Sequence, residues 1–178
     1  MFVKKRAQDR LERELPSHMQ SIWRYGVSLS GRKDVADDLL QATCLRALEK
    51  ADQFRMGTSM IAWLLTICRS IWLNELRSAA VRKTDALEPE ALDQIAAENL
   101  GQDANIFARQ VFSEMMALPE AQRDCCYLVY AQGFSYREVA QMLDIPIGTV
   151  MSRLASARAK LAPMNRPDIE TETGAQNG

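Results

Sequence analysis

Apolar residues recur at helical spacing along most of the chain, and nowhere do they alternate with the period of a strand. The densest pattern lies over residues 118–161. Pro119 stands where a first helical residue tolerates a missing N–H, so a helix is predicted from there to about Ala131, broken by Gly133. Ser135 then precedes Glu138 by three residues, the spacing of a capping box. Tyr136, Val139, Ala140 and Leu143 follow at core spacing. Asp144 and Ile145 make a tight connection, and Pro146 opens a last helix. On it Ile147, Val150, Leu154, Ala157 and Leu161 share one stripe. Gly148, Thr149, Ser152, Ser156 and Lys160 fall on other faces, with Arg153 at the edge. The pair of helices reads as a helix-turn-helix. A face of small and hydroxyl residues lets a helix approach base edges, and its Arg and Lys suit guanine or phosphate. A plain helical hairpin with solvated charges fits the same spacing.

Three more helices are predicted before it. The first spans about 17–30, with Met19, Ile22, Trp23 and Val27 at core spacing and Gly31 as its stop. The second spans about 33–51. Ala36, Leu40, Thr43, Cys44 and Ala47 form its inward stripe, with Leu48 at the border. Asp38, Gln41 and Leu45 land on the opposite face, within about 60° of arc. A leucine between an acid and an amide marks a candidate protein-binding patch, although one exposed leucine needs no special reason. The third helix spans about 59–78, with Ile61, Leu64, Leu65, Cys68, Trp72 and Leu76 inward. Trp63, Ser70, Asn74 and Arg77 cluster on its other side. An indole offers a base a stacking surface and the polar groups can read base edges, which suits single-stranded nucleic acid. An amphipathic helix with one tryptophan in a domain interface gives the same pattern.

Composition adds bounds. With 178 residues, 47% of them hydrophobic and 25% charged, the chain suits one medium or two small soluble domains. No apolar run reaches the roughly 18 residues of a membrane span, so no membrane insertion is expected. The opening MFVKKRAQDRLERELP lacks the apolar stretch of a signal peptide. A formal net charge of −1 looks poor for a DNA binder, but the charge is unevenly spread. Residues 1–83 carry +6, 84–105 carry −6, 106–163 carry +1 and 164–178 carry −2. The expected fold class is all-α, with two small helical domains joined by a flexible acidic linker, the C-terminal one a helix-turn-helix. The expected boundaries are 1–83, a linker at 84–105 with a short helix near 91–100, the second domain at 106–162, and a disordered polar tail at 163–178.

The chemistry is sparse. Cys44, Cys68, Cys125 and Cys126 show no paired spacing and read as buried thiols of a reducing cytoplasm. Zinc or redox chemistry at Cys125 and Cys126 would have His18 as its only histidine. There is no Gly-rich phosphate loop and no nucleophile–base pair. No enzymatic activity, metal, cofactor or small-molecule substrate is therefore expected.

Taken together, LPEAQR, GFSYREVA and GTVMSR resemble the promoter-reading C-terminal domain of bacterial sigma factors, of the short extracytoplasmic-function (ECF) class. DVADDLLQATCLRALEKADQF is similar to the helix by which such factors grip the β′ clamp of RNA polymerase. MIAWLLTICRSIWLNELR is similar to the helix that holds the melted −10 element. The wording around ADQFRMGTSMIAWL resembles the general-stress factors of alphaproteobacteria. The resemblance covers about 15–83 and 106–161. It implies core polymerase contacts at Asp37, Asp38, Gln41 and Leu45, with the β flap as a second polymerase contact. It implies −10 contacts at Phe54, Trp63, Ser70, Asn74 and Arg77, where the loop FRMGT captures a flipped base. It implies −35 contacts at Gly148, Thr149, Ser152, Arg153, Ser156 and Lys160. An anti-sigma protein is the further partner it implies. Ser70 stands where Asn is commoner in the family, Asn74 where Asp is commoner, and Met151 where a basic residue is frequent. A sigma-like decoy for an anti-sigma protein, and an operator-binding repressor, are the alternatives.

Overall fold

The computed structural model describes residues 2–55, 57–82, 111 and 113–161, and among these the only regular elements are helices and turns. The predicted linker with its short helix, and the tail, lie outside the described residues.

Helix α1 (Phe2–Ser30) begins fifteen residues before the predicted start. The cause is an apolar seam that extends into the charged N-terminal stretch. Ala7, Leu11 and Leu15 follow one another four residues apart and are buried, in line with Ile22, Tyr25 and Leu29. Met19 lies off that seam and is 41% exposed, contrary to the predicted core stripe, and Trp23 is half-buried. Pro16 sits inside the helix, where a missing N–H costs roughly 3 kcal/mol. Burying Leu11 and Leu15 in the turns before it, at about 1.5–3 kcal/mol each, offsets that cost.

Gly31, at φ +71°, turns the chain into α2 (Lys33–Glu49). The two helices touch backbone to backbone: a Cβ on Gly26 would lie 3.1 Å from the Cα of Ala36. Close approach at that crossing centres the buried stripe of α2 on Ala36, Leu39, Thr43 and Ala47. Ala36, Thr43 and Ala47 of the predicted stripe are buried as expected, and Leu39 takes the place given to Leu40. Leu40 and Cys44 are only half-buried, and Leu48 is 40% exposed. A 3-10 turn (Ala51–Gln53) and a loop through Gly57 lead to α3 (Met60–Arg82). Leu64, Leu65 and Cys68 are buried there as predicted, together with Met60, Ile67 and Ile71. Ile61 and Trp72 are half-buried and Leu76 is exposed, because α3 packs against α1 and α2 mainly through its first half.

Helix α4 (Glu120–Cys126) takes Pro119 as its N-cap rather than its first residue. It runs on as a π-helical turn (Tyr127–Ala131), so the segment ends where predicted. Gly133, at φ +75°, breaks it. The capping box exists: Ser135 Oγ accepts from the Glu138 N–H at 3.3 Å, and Glu138 Oε2 accepts from the Ser135 N–H at 2.8 Å. Helix α5 (Tyr136–Leu143) ends at Asp144, which adopts the left-handed conformation at φ +54°. In α6 (Ile147–Leu161), Val150, Leu154 and Ala157 are buried and Leu161 is half-buried. Ile147 is 47% exposed, against prediction, since the helix has barely begun there and its packed stripe starts at Val150.

Helices α1 to α3 form one module, and α4 to α6 form a second, in which α5 and α6 are the helix-turn-helix. Sequence left their relative placement open. In the structure α4 lies against α1 and α5 against α3, and the buried side chains of both modules join one continuous core.

Candidate nucleic-acid and partner interfaces

Three exposed faces gather the predicted site residues. On α2, Asp37, Asp38, Gln41 and Leu45 all face solvent, with Leu45 61% exposed. Asp37 Oδ1 accepts a 2.8 Å hydrogen bond from Trp23 Nε1 of α1, so one of the four is already engaged. Leu48, one turn beyond Leu45, extends the apolar part of this face. Glu75 of α3 adds a second acid beside it. Partial burial, and then the nearby Asp38 carboxylate, hold the Glu75 carboxyl above its ordinary value. Sequence reasoning missed Glu75, because only the α2–α3 packing brings it near Asp38.

On α3, Ser70, Asn74 and Arg77 are exposed and Trp63 is half-buried. Arg77 Nη1 donates to Asn74 Oδ1 at 3.0 Å, one turn apart on the helix. Phe54, for which a DNA contact was expected, is 4% exposed, and its ring meets the Trp63 ring at 5.3 Å between centroids, tilted by 51°. The Arg10 guanidinium covers the Phe54 ring at 5.4 Å and binds Glu14 at 2.9 Å. Phe54 therefore backs Trp63 in the free chain. Arg10 had no signal in the sequence pattern, since it belongs to the unpredicted half of α1. In the loop before α3, Gly57 adopts φ +91° and Thr58 Oγ1 donates to the Arg55 carbonyl at 2.7 Å. Met56 of that loop lies outside the described residues. A cleft of about 440 Å³ opens beside Trp63, with Thr58, Ser59 and Thr66 on one wall and Glu138, Gln141 and Met142 of α5 on the other.

On α6, Gly148, Ser152, Ser156 and Lys160 are exposed, and Thr149 is half-buried. Arg153 is half-buried too. Its guanidinium lies against the Cys125 thiol and opposes the rise in that thiol's pKa that burial imposes. Ile147 and Met151, one turn apart, are about half exposed and make this face more apolar than its small and hydroxyl residues implied. Arg158 Nη1 donates to the Tyr130 hydroxyl at 3.1 Å, tying the end of α6 to the π-turn.

The cysteine thiols are free, with Cys68, Cys125 and Cys126 buried and Cys44 half-buried. Burial pushes Cys68 up to about 12 and Cys126 to about 11, so both stay protonated and weakly nucleophilic near neutral pH. Among the described residues no group of three or more His, Cys, Asp or Glu could hold a metal, and no helix is long and apolar enough to cross a membrane.

Comparison with known proteins follows this division. The family model for Sigma-70 region 2 matches residues 16–82, from the middle of α1 through α3, and that for Sigma-70, region 4 matches 109–161, which spans α4 to α6. The ECF RNA polymerase sigma factor EcfG of Rhodopseudomonas palustris is 35% identical over 160 residues, covering 88% of this chain and 85% of that protein. The ECF RNA polymerase sigma factor SigC of Mycobacterium tuberculosis is 32% identical over 162 residues, covering 89% and 84%. Among solved structures, the sigma factor RpoE of Bartonella quintana, in complex with the anti-sigma factor NepR, superposes with a TM-score of 0.75 at 30% identity, over 89% of this chain and 98% of that one. CnrH, in complex with the cytosolic domain of CnrY, shares the fold at a TM-score of 0.62 and 20% identity, over 92% and 94%. Matched in both modules and over most of its length, the chain belongs to the ECF RNA polymerase sigma factors, non-catalytic subunits that direct promoter-specific transcription initiation.

Proposed function

We propose that the three exposed faces divide the work of initiation. The α2 face grips the β′ clamp of core RNA polymerase, with Leu45 as the apolar anchor and Asp38 and Gln41 as its polar rim. Burying a leucine at such a contact is worth about 1.5–3 kcal/mol, enough to matter for affinity without making release slow. Helix α3 holds the melted −10 strand. Trp63 stacks on a base, Phe54 supports it from behind, and Ser70, Asn74 and Arg77 meet base edges and backbone. Helix α6 enters the major groove of the −35 duplex with Gly148, Thr149, Ser152 and Ser156 nearest the bases, and with Lys160 and Arg153 on phosphate or guanine. The second module also meets the β flap. Residues 1–83 and 106–162 are the two working domains, and 84–105 joins them. Their covalent connection raises the effective concentration of each contact once the other is made.

The observation that carries this reading is the α2 face: its opposite side is fully buried, yet it exposes an acid, an amide and a 61% exposed leucine together. A repressor has no use for such a face. The test is reconstitution with core polymerase on a promoter library, followed by sequencing of the transcripts. Initiation from a restricted set of promoters is expected, and failure to bind core polymerase would refute the reading.

The relative from Bartonella quintana was solved with an anti-sigma factor. By that likeness an anti-sigma protein is the regulatory partner of this chain, the general stress response is its setting, and the cytoplasm is its compartment.

A further inference from the structure

Charged groups of α4 tie the two modules, beside a longer 3.4 Å bond from the Tyr127 hydroxyl of the π-turn to the Ser21 carbonyl of α1. Arg123 Nε donates to the Ser28 carbonyl at 2.5 Å and its Nη2 to the Leu29 carbonyl at 3.2 Å. Both carbonyls lie in the last turn of α1, where no intrahelical donor remains. Nη1 of the same guanidinium donates to the Met116 and Leu118 carbonyls at 2.8 and 3.1 Å, ahead of α4. One guanidinium thus closes two chain ends from two modules. The next residue, Asp124, is 4% exposed. Its carboxylate accepts from the Tyr25 hydroxyl of α1 and, at 2.7 Å, from Arg69 Nε of α3. Glu120, one turn earlier, accepts from Trp72 Nε1 of α3 at 3.0 Å.

While the modules are closed, each buried charge is satisfied, and losing one partner is costly because the other charge is left buried. Around these ties lies apolar contact, with the Tyr25 and Tyr127 rings stacked at 5.2 Å inside the shared core, and its exposure opposes parting, whereas Arg123, Asp124 and Arg69 regain water once the modules part. Relative motion of domains is the default within a chain unless the interface between them is large and apolar.

Closure has a consequence for α3. It lays α5 across the first turns of that helix, so Glu138, Gln141 and Met142 face Trp63 and Thr66 over the narrow cleft. A nucleic-acid strand running past Trp63 would have to displace them, and the Glu138 carboxylate would repel its phosphates. The outer face of α6 is left open, with Gly148, Ser152 and Lys160 exposed. We propose that this chain is self-latched: Arg123 and Asp124 hold the modules closed, so that α5 covers the single-strand face at Trp63 while α6 remains free to read duplex DNA. The proposal rests on the roles given above to α3 and α6.

The test uses the full chain and the double variant R69A/D124A, with W72F as a milder variant that keeps the ring and loses only the indole N–H. Opening is read without DNA, as the radius of gyration by small-angle scattering and as hydroxyl-radical labelling of Trp63 and Met142, with Trp23 as reference. Function is read as the affinity for a single-stranded −10 oligonucleotide and for a −35 duplex. Opening of the double variant is expected to raise single-strand affinity about tenfold, within the range of couplings between sites, with duplex affinity unchanged and W72F intermediate. Unchanged scattering and labelling in both variants, or a parent chain already as open as the variant, would overturn the latch. Opening with no gain for any single strand would uphold the latch and count against the role given to α3.

Discussion

The Trp23 indole N–H is bonded to the Asp37 carboxylate across the α1–α2 crossing, at 2.8 Å. This bond separates Asp37 from the other residues of the proposed clamp face. Its charge is partly spent within the fold, whereas Asp38, Gln41 and Leu45 stand free on the surface. Leu45→Asp is therefore expected to abolish binding to core polymerase while leaving the melting temperature within experimental error. Asp37→Asn keeps an acceptor for the indole and should weaken binding only a few-fold. Pull-down or fluorescence titration with core polymerase, alongside thermal melts, measures both. Equal losses for the two variants would show that Asp37 is itself an anchor.

Phe54 and Trp63 form a second pair whose members do different things. Trp63→Ala removes the stacking surface and should cost about 1–3 kcal/mol in affinity for a single-stranded −10 oligonucleotide. Phe54→Leu leaves the indole in place but takes away the tilted ring behind it. It should lower stability by about 1 kcal/mol and weaken oligonucleotide binding less than Trp63→Ala does. Denaturant unfolding and anisotropy titration on the same samples distinguish the two effects. If Phe54→Leu binds as poorly as Trp63→Ala, the phenyl ring touches the base after all.

These pairs also show what could be read from the chain. The Ser135–Glu138 capping box and the stops at Gly31 and Gly133 were legible because each is decided within a few residues. Helix type was legible wherever the apolar seam was continuous. The burial of Leu39 rather than Leu40 in α2 was not, because the close contact of Gly26 with Ala36 sets the phase from another helix. The first half of α1 was missed because Leu11 and Leu15 stand among charged residues that snorkel around them. The burial of Phe54 was not legible either, because neither Arg10 nor the tilt of Trp63 is visible in sequence. The ties of Arg123 and Asp124 join residues 95 and 99 positions apart, and no periodicity encodes them.

The buried thiols and phenols set the stability of the fold in alkali. Burial holds Cys68 and Tyr127 up at about 12 and Cys126 at about 11, and raises Tyr25 well above its ordinary value. In the unfolded chain these groups release protons near 9 for the thiols and 10 for the phenols. Above those values the folded state holds more protons than the unfolded one, so stability must fall as pH rises. Each group contributes up to about 1.4 kcal/mol per pH unit until its folded-state value is passed. Unfolding free energy should thus be level with respect to these groups below pH 9 and drop steeply from there towards 11. Urea titrations at stepped pH measure this. A level profile to pH 11 would mean that solvent reaches the thiols in the folded chain.

Gly148 offers the sharpest separation of fold from function. It is the second residue of α6, it is exposed, and a Cβ built there meets nothing within 4 Å. Alanine therefore fits the folded chain and should even stabilise it, by up to about 1 kcal/mol, through its better helix propensity. The new methyl group would point from the face proposed to approach the −35 bases, where glycine would permit the closest contact. Gly148→Ala is expected to melt at the same or a higher temperature, yet to bind a −35 duplex about 1–3 kcal/mol more weakly, the cost of losing one good base contact. The loss should be larger on the preferred −35 sequence than on random duplex, because only specific docking brings the helix that deep into the groove. Equal affinity for both proteins on the preferred sequence would place the base-reading part of α6 beyond Gly148, towards Ser152 and Ser156.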